Sequence, residues 1–279
     1  MAVAYLNEGA TSLAAANWSD ATGFADNATL VIDKKFGSGA PLTASTDQSG
    51  LTTGIDYLDI LKGAQGQLGT GASPLQVDAD TASGDGIVNY GNVTLYFRGG
   101  GSGQINNFSC GSGSINYHVN DTITQVVVEG GTYIAEESAV ITNFDAYGGS
   151  GEIKYNSTKI TTCRIMRGTW VLRRACTNLF VGENARVIID LDDAATMTST
   201  AISSYGGTID LRFGAYPTIT AIGGTLDLRN ARRAFEIGGT AITLGGTTIH
   251  EGSDIVTVSN VTNVGNSKRS IGGFVPAPS

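Results

Sequence analysis

Charge is scarce in this sequence. Only 15% of its 279 residues are Asp, Glu, Lys or Arg, against roughly 25% in ordinary soluble domains. Basic residues are outnumbered 17 to 25, for a formal net charge of −8. That balance argues against a protein that works by coating nucleic acid, which needs a basic face to release phosphate counterions. The basic pairs Lys34-Lys35, Arg173-Arg174, Arg232-Arg233 and Lys268-Arg269 read as solvated surface or as partners for acidic neighbours.

Histidine and cysteine are nearly missing too. His118 and His250 are the two histidines, and neither stands in a His-x-x-x-His or Ser-His-Asp context, so each reads as a strand or turn residue. The three cysteines, Cys110, Cys163 and Cys176, form no Cys-x-x-Cys pair and are odd in number, which speaks against a zinc site or a disulfide framework. Cys163 and Cys176 fall close to apolar positions and read as buried thiols. No apolar run approaches the roughly 20 residues of a membrane span. The start, Met1-Ala-Val-Ala-Tyr-Leu-Asn-Glu, carries no basic segment followed by an apolar one, so no signal peptide and no membrane partner are expected. The seven Asn-x-Ser/Thr sequons, from Asn17 to Asn260, then read as turn and ladder residues rather than glycan sites.

What the chain does have is glycine, 39 residues of it, and 41% apolar residues. Many turns with enough apolar material for a core describe an all-β protein with little helix. Four stretches organise that reading: Trp170-Val-Leu-Arg173, Ile189-Asp-Leu-Asp192, Ile209-Asp-Leu-Arg212 and Leu226-Asp-Leu-Arg229. Each alternates apolar and polar, three follow a Gly-Thr, and their starts are close to evenly spaced. Alternation predicts a strand with one buried face. A four-residue strand cannot bury that face alone, so stacking on copies of itself is the physical reason for repeating it.

Counting outward extends the repeat across residues 51–265. One apolar column is expected at Leu58, Val77, Leu95, Ile115, Tyr133, Ile153, Trp170, Ile189, Ile209, Leu226 and Ile242, in nearly equal steps. A second is expected at Leu68, Ile87, Ile105, Ile123, Ile141, Ile160, Leu179, Met197, Ile219, Ile237 and Ile255. The architecture this predicts is a single-stranded parallel β-helix, or solenoid, of roughly 10 coils of about 18 to 19 residues. A β-sandwich or jelly roll also has many short strands, but its spacing need not hold a period.

Three segments are expected. Residues 1–50 fit the repeat poorly and read as an N-terminal arm or cap used for attachment, residues 51–265 as the solenoid, and residues 266–279, with two prolines, as an extended C-terminal tail. A solenoid end exposes strand edges and coil interior that something must cover. Trp18, Phe24 and Phe36 in the arm, with Lys268, Arg269 and Phe274 in the tail, are therefore the interface candidates.

The most chemical feature is the acidic column. Leu172, Leu191, Leu211 and Leu228 should point inward, with Val171, Asp190, Asp210 and Asp227 in one outward column and Arg173, Asp192, Arg212 and Arg229 in the next. Stacked at about 5 Å, Asp190, Asp210 and Asp227 suit a retaining glycosidase pair or a Ca²⁺ site. The simpler account is a surface charge ladder in which Asp and Arg fix the register of adjacent strands. No catalytic residue and no cofactor are assigned, and the three aspartates are the metal candidates. The glycine cluster Arg98-Gly-Gly-Gly-Ser-Gly103 lacks the Lys-Ser/Thr of a phosphate-binding loop and reads as a coil corner.

On the coil period, the chain resembles the right-handed parallel β-helix proteins, which include pectate lyases, phage tailspikes and virion surface proteins. It lacks the Asn-Thr-Asp, Asp-Asp, His-Gly and Arg-Ile-Lys series of the polygalacturonases. Its Gly/Thr/Ser-rich character and the Asn17-Trp18-Ser19-Asp20 segment are similar to structural proteins of tailed phages. That resemblance implies a non-enzymatic protein at the virion surface, a capsid decoration or cement protein bound to the major capsid protein and closing as a homo-oligomer, with a trimer expected. The alternative is a tail fibre, spike or adhesin module with a host glycan as partner. The third is a polysaccharide lyase or hydrolase.

Overall fold

A computed structural model describes residues 3–11, 13, 17–19, 28–37, 40–42, 57–77, 86–99, 107–117, 122–136, 140–155, 157–191, 201–213, 218–229, 241–251, 261–263 and 268–271. The chain is an all-β parallel β-solenoid, with no α-helix among the described residues. It divides into two compact units, residues 1–143 with 147–151, and residues 144–146 with 152–279.

The strands of the first unit are β1 (Val3–Tyr5), β2 (Thr29–Ile32), β3 (Tyr57–Ile60), β4 (Gln65–Leu68), β5 (Leu75–Val77), β6 (Gly86–Asn89), β7 (Asn92–Gly99), β8 (Asn107–Cys110), β9 (Ser114–Tyr117), β10 (Thr122–Val128) and β11 (Thr132–Ala135). The strands β12 (Val140–Ala146) and β13 (Ser150–Ile153) begin in the first unit and end in the second. One parallel ladder runs β1, β2, β3, β6, β8, β10. Its inward column is Leu30, Leu58, Ile87, Phe108 and Val126, all fully buried. A second ladder runs β4, β7, β9, β11 and aligns Leu68, Leu95, Ile115 and Tyr133. Burial of whole columns is the largest favourable term here, at about 25 cal/mol per Å² of apolar surface.

Rings fill this interior as a slipped stack. Phe97 lies 5.5 Å from Phe108 with ring planes 18° apart and 4.8 Å from Tyr117, and Phe108 lies 5.6 Å from Tyr133. Each coil therefore holds the next by shape as well as by backbone hydrogen bonds.

In the second unit the strands are β14 (Ile160–Leu172), β15 (Cys176–Asp190), β16 (Ala201–Ser204), β17 (Thr208–Phe213), β18 (Thr218–Ile222), β19 (Thr225–Asp227), β20 (Ala241–Gly245), β21 (Thr248–Glu251), β22 (Val261–Asn263) and β23 (Lys268–Ile271). The long strands β14 and β15 pair from Ile160↔Cys176 to Leu172↔Ile189. Two ladders follow. One aligns Leu179, Ile202, Ile219, Ile242 and Val261; the other aligns Trp170, Val187, Ile209, Leu226 and Ile249. Trp170 meets Phe144 edge-on at 5.0 Å and is fully buried, so it is a core residue.

Several expectations are corrected. The solenoid has about six turns, not the roughly ten expected from residue 51. The coil length is not constant: the steps from Leu30 to Leu58 and from Leu58 to Ile87 are much longer than the step from Phe108 to Val126. Hence Leu58 shares a column with Ile87 rather than with Leu95, and Ile242 stacks on Ile219 rather than on Leu226.

The described part of residues 1–50 is not separate from the solenoid, because β1, β2 and the parallel bridges Lys35↔Gln65 and Leu42↔Leu68 join its ladders. Likewise β23 pairs in parallel with β21, so residues 268–271 add a strand instead of beginning a tail. Residues 272–279 lie outside the described residues.

Candidate functional site

The acidic column is present in part. Asp210 and Asp227 are Cα partners on adjacent strands, and His250 follows at the same register position. Asp190 does not join them. Ile188 opposes Asp210 and Ile189 opposes Leu211, and after a shift in the pairing Asp190 opposes Phe213. A two-residue slip in the assumed alignment accounts for the error, since Val187, not Ile189, follows Trp170.

These carboxylates are also not on an open surface. Asp190 is 2%, Asp210 0% and Asp227 6% exposed, and each meets arginine. Arg173 bridges Glu152 and Asp190, reaching Asp190 Oδ2 at 3.2 Å. Arg212 reaches Asp210 Oδ2 at 3.1 Å and Arg186 approaches the same oxygen at 3.8 Å. Arg229 grips Asp227 in a fork, Nε to Oδ1 at 2.9 Å and Nη2 to Oδ2 at 2.7 Å, while its backbone N–H donates to Oδ1 at 3.1 Å. Forked pairs of this kind are the stronger, directional form of ion pair. The Asp227 carboxylate pushes the Arg229 guanidinium up from its ordinary value.

Chemically, a carboxylate paired with guanidinium donors is a poorer cation ligand and a poorer base than a free one. Among the described residues no group of three His, Cys, Asp or Glu side chains is placed to hold a metal ion. The same device recurs where Arg164 pairs with Asp145 at 3.2 Å and lies 5.9 Å over the Phe180 ring.

The interface candidates divide. Trp18 and Phe36 are each 2% exposed: the Trp18 indole N–H donates to the Leu13 carbonyl at 3.2 Å, beside the antiparallel bridge Leu6↔Trp18. The Phe36 ring lies so close to Gly66 that a Cβ there would sit 2.6 Å from it. Both anchor the first unit from within. Lys268 and Arg269 lie on β23, opposite Thr248 and Ile249, whereas Phe24 and Phe274 lie outside the described residues. The three cysteines are buried and free, with burial pushing the Cys110 thiol up to about 12.

A different feature emerges at one corner of the first unit. The residue that leaves each strand of the Leu30 ladder donates its N–H to the preceding coil: Leu61 to Ile32, Tyr90 to Ile60, Gly111 to Asn89, Glu129 to Cys110 and Tyr147 to Val128. Leu61, Tyr90, Gly111, Glu129 and Tyr147 thus form one outward row. Tyr147 is 51% exposed. The Tyr90 ring lies across Gly111, where a Cβ would come within 2.0 Å of it, and the Tyr90 hydroxyl hydrogen-bonds Glu129 Oε2 at 3.1 Å. Burial and the Glu129 carboxylate together push the Tyr90 phenol up.

Beside this row the coils are nearly bare. Gly91, Ser112, Gly130 and Gly148 come next along the chain, then Gly113, Gly131 and Gly149 at φ of 75°, 72° and 71°. Substituents at Gly130 and Gly148 would strike the backbone carbonyls of Gly111 and Glu129 at 2.4 and 2.2 Å. The Ser112 hydroxyl is drawn inward, donating toward the carbonyls of Tyr90 and Gly91 at 2.8 and 2.7 Å. The signal was in the sequence as Tyr90-Gly-Asn, Gly111-Ser-Gly, Glu129-Gly-Gly and Tyr147-Gly-Gly, recurring at close to one coil's spacing. A search for catalytic signatures passes over it because it contains no acid-base pair.

No family model, no curated protein and no solved structure matches the chain.

Proposed function

We propose that this chain is a non-enzymatic structural protein of a virion surface, a capsid decoration or cement protein whose partners are the major capsid protein and further copies of itself, with trimeric closure. The observation that carries the structural half of this reading is the pairing of Asp190, Asp210 and Asp227 with Arg173, Arg186, Arg212 and Arg229. The charges of the best catalytic candidate are engaged in ion pairs, two of which, Arg173–Asp190 and Arg186–Asp210, connect adjacent strands and so favour their register. The virion half is supported by the resemblance of the sequence to tailed-phage structural proteins.

Gold-labelled antibody against the full chain, applied to purified virus particles from the source culture, tests the location. Label over the head shell is expected. Label confined to the tail, or absent from intact particles, overturns the decoration role. A third reading, polysaccharide cleavage at the aspartates, predicts reducing-end release that disappears when Asp190, Asp210 and Asp227 are all replaced by Asn.

A second reading, a glycan-binding module, is favoured by a separate observation. The outward row of Tyr90, Glu129 and Tyr147 combines rings and a carboxylate along a side-chain-poor corner.

A further inference from the structure

Resting on that second reading, we infer that the corner row Tyr90–Glu129–Tyr147 of the first unit is a binding strip for an extended neutral polysaccharide, with the rings as platforms and Glu129 as the hydroxyl acceptor. Three features point to this ligand chemistry. Tyr offers a large, rigid, amphipathic surface at a low entropic cost of ordering, and Tyr147 presents half of its surface to solvent. Sugar rings carry apolar faces of C–H groups that stack on such rings, while their hydroxyls need acceptors nearby.

Glu129 supplies the acceptor. It is exposed, and one of its oxygens takes the Tyr90 hydroxyl at 3.1 Å. That bond fixes the carboxylate and holds the Tyr90 ring down against Gly111, so the strip is formed before any ligand arrives. The remaining lone pairs accept from a pair of neighbouring sugar hydroxyls, as charge-assisted hydrogen bonds.

The third feature is room. Gly91, Ser112, Gly130 and Gly148 leave a floor without projecting side chains directly beside the row, and the close backbone packing under Gly130 and Gly148 forbids larger residues there. Coils stack about 4.8 Å apart, so the three steps from Tyr90 to Tyr147 span about 14 Å, the length of a short oligosaccharide lying along the stack. The carboxylate in the strip and the formal net charge of −8 select against anionic polymers.

The test uses the full-length protein in affinity gel electrophoresis against dextran, mannan, a β-glucan and a galactan, with heparin and alginate as the anionic set. Retardation by at least one neutral polymer and by neither anionic one is expected. Tyr147→Ala and Glu129→Gln should each weaken that retardation about tenfold, equivalent to about 1.4 kcal/mol, while Tyr5→Ala, an equally exposed tyrosine on β1, leaves it unchanged. Melting curves of the variants confirm that each is folded. Failure of every polymer, neutral or anionic, to bind overturns both the glycan reading and the strip; binding of the anionic ones alone overturns the strip and leaves the glycan reading standing. Neutral binding that survives both Tyr147→Ala and Glu129→Gln overturns the strip alone.

Discussion

The first unit stacks Phe97, Phe108, Tyr117 and Tyr133 inside its coils, whereas the second sets Phe144 against Trp170 beside aliphatic columns and adds arginine–aspartate pairs to a flank. Both solve one problem. A parallel ladder of short strands can slip by two positions and still bury an apolar face, so register needs a further specification. Rings specify it by shape in the first unit. In the second, Arg173 and Arg186 reach across to the next strand and specify it by charge, while Arg212 and Arg229 each brace the aspartate two positions earlier. The shape solution works from inside the coils and makes no demand on outward side chains, and the tyrosine row stands on an outer corner of that same unit.

The largest break in this comparison should come from Phe108→Ala. Its ring touches both Phe97 and Tyr133, and removal leaves a cavity costing about 3 to 5 kcal/mol. Hydrogen exchange should show lost protection concentrated in β6 to β11, and an even loss across the chain would contradict a local role for the ring stack.

Next come the corners. Gly131 sits at φ 72° with a would-be Cβ 2.5 Å from the Gly113 carbonyl, and Gly224 of the second unit at φ 76°, 2.1 Å from the Gly207 carbonyl. Gly131→Val and Gly224→Val should each cost about 2 to 3 kcal/mol by strain and overpacking. Similar losses in denaturant titrations would show that glycine corners are common to both units; a harmless Gly131→Val would remove the basis for the bare floor.

Asp210→Asn should be milder. It abolishes the charge that Arg186 and Arg212 share, but the two guanidiniums are 54% and 30% exposed and return to water. A loss of about 1 kcal/mol is expected once solvent screening is allowed for. Hydrogen exchange in β17 and β19 would report it, and no change in β6 to β9 should accompany it.

The smallest effect concerns Asp59 on β3, whose carboxyl is pushed up by burial. A raised folded pKa means that the native state binds its proton more readily than the unfolded chain, so this group lowers stability as pH rises through the window just above 3.8. Asp59→Asn should therefore raise the melting temperature slightly at pH 7, with the gain fading below pH 3.8. A gain that persisted there would implicate something other than the carboxylate.

Parallel stacking, the near absence of helix, the buried cysteines and the inward placement of Trp170 were legible because each follows from alternation and composition. The Leu95, Ile115, Tyr133 column and the Ile209, Leu226 step were legible as well, since the coils there are short and nearly equal. The Leu58 assignment failed where the coils lengthen, on either side of β3. The three-aspartate strip failed for the same reason in miniature: Val187 rather than Ile189 pairs with both Trp170 and Ile209, so Ile188 and not Asp190 stands opposite Asp210. Trp18 and Phe36 looked like attachment points because large rings in a poorly repeating segment suggest an interface, yet the fold buries both.

The sequence by itself determined that this chain builds a core by repetition, because short amphipathic strands recurring at a nearly constant spacing cover their apolar faces by stacking on one another. It also determined which residue types meet, since Asp and Arg recur two positions apart. Tertiary structure alone decided which copies lie next to each other, as corner loops change the spacing along the chain without changing the distance between stacked strands. That is why Asp210 faces Asp227 while Asp190 stands apart, and why Tyr90, Glu129 and Tyr147, far apart along the chain, share one edge.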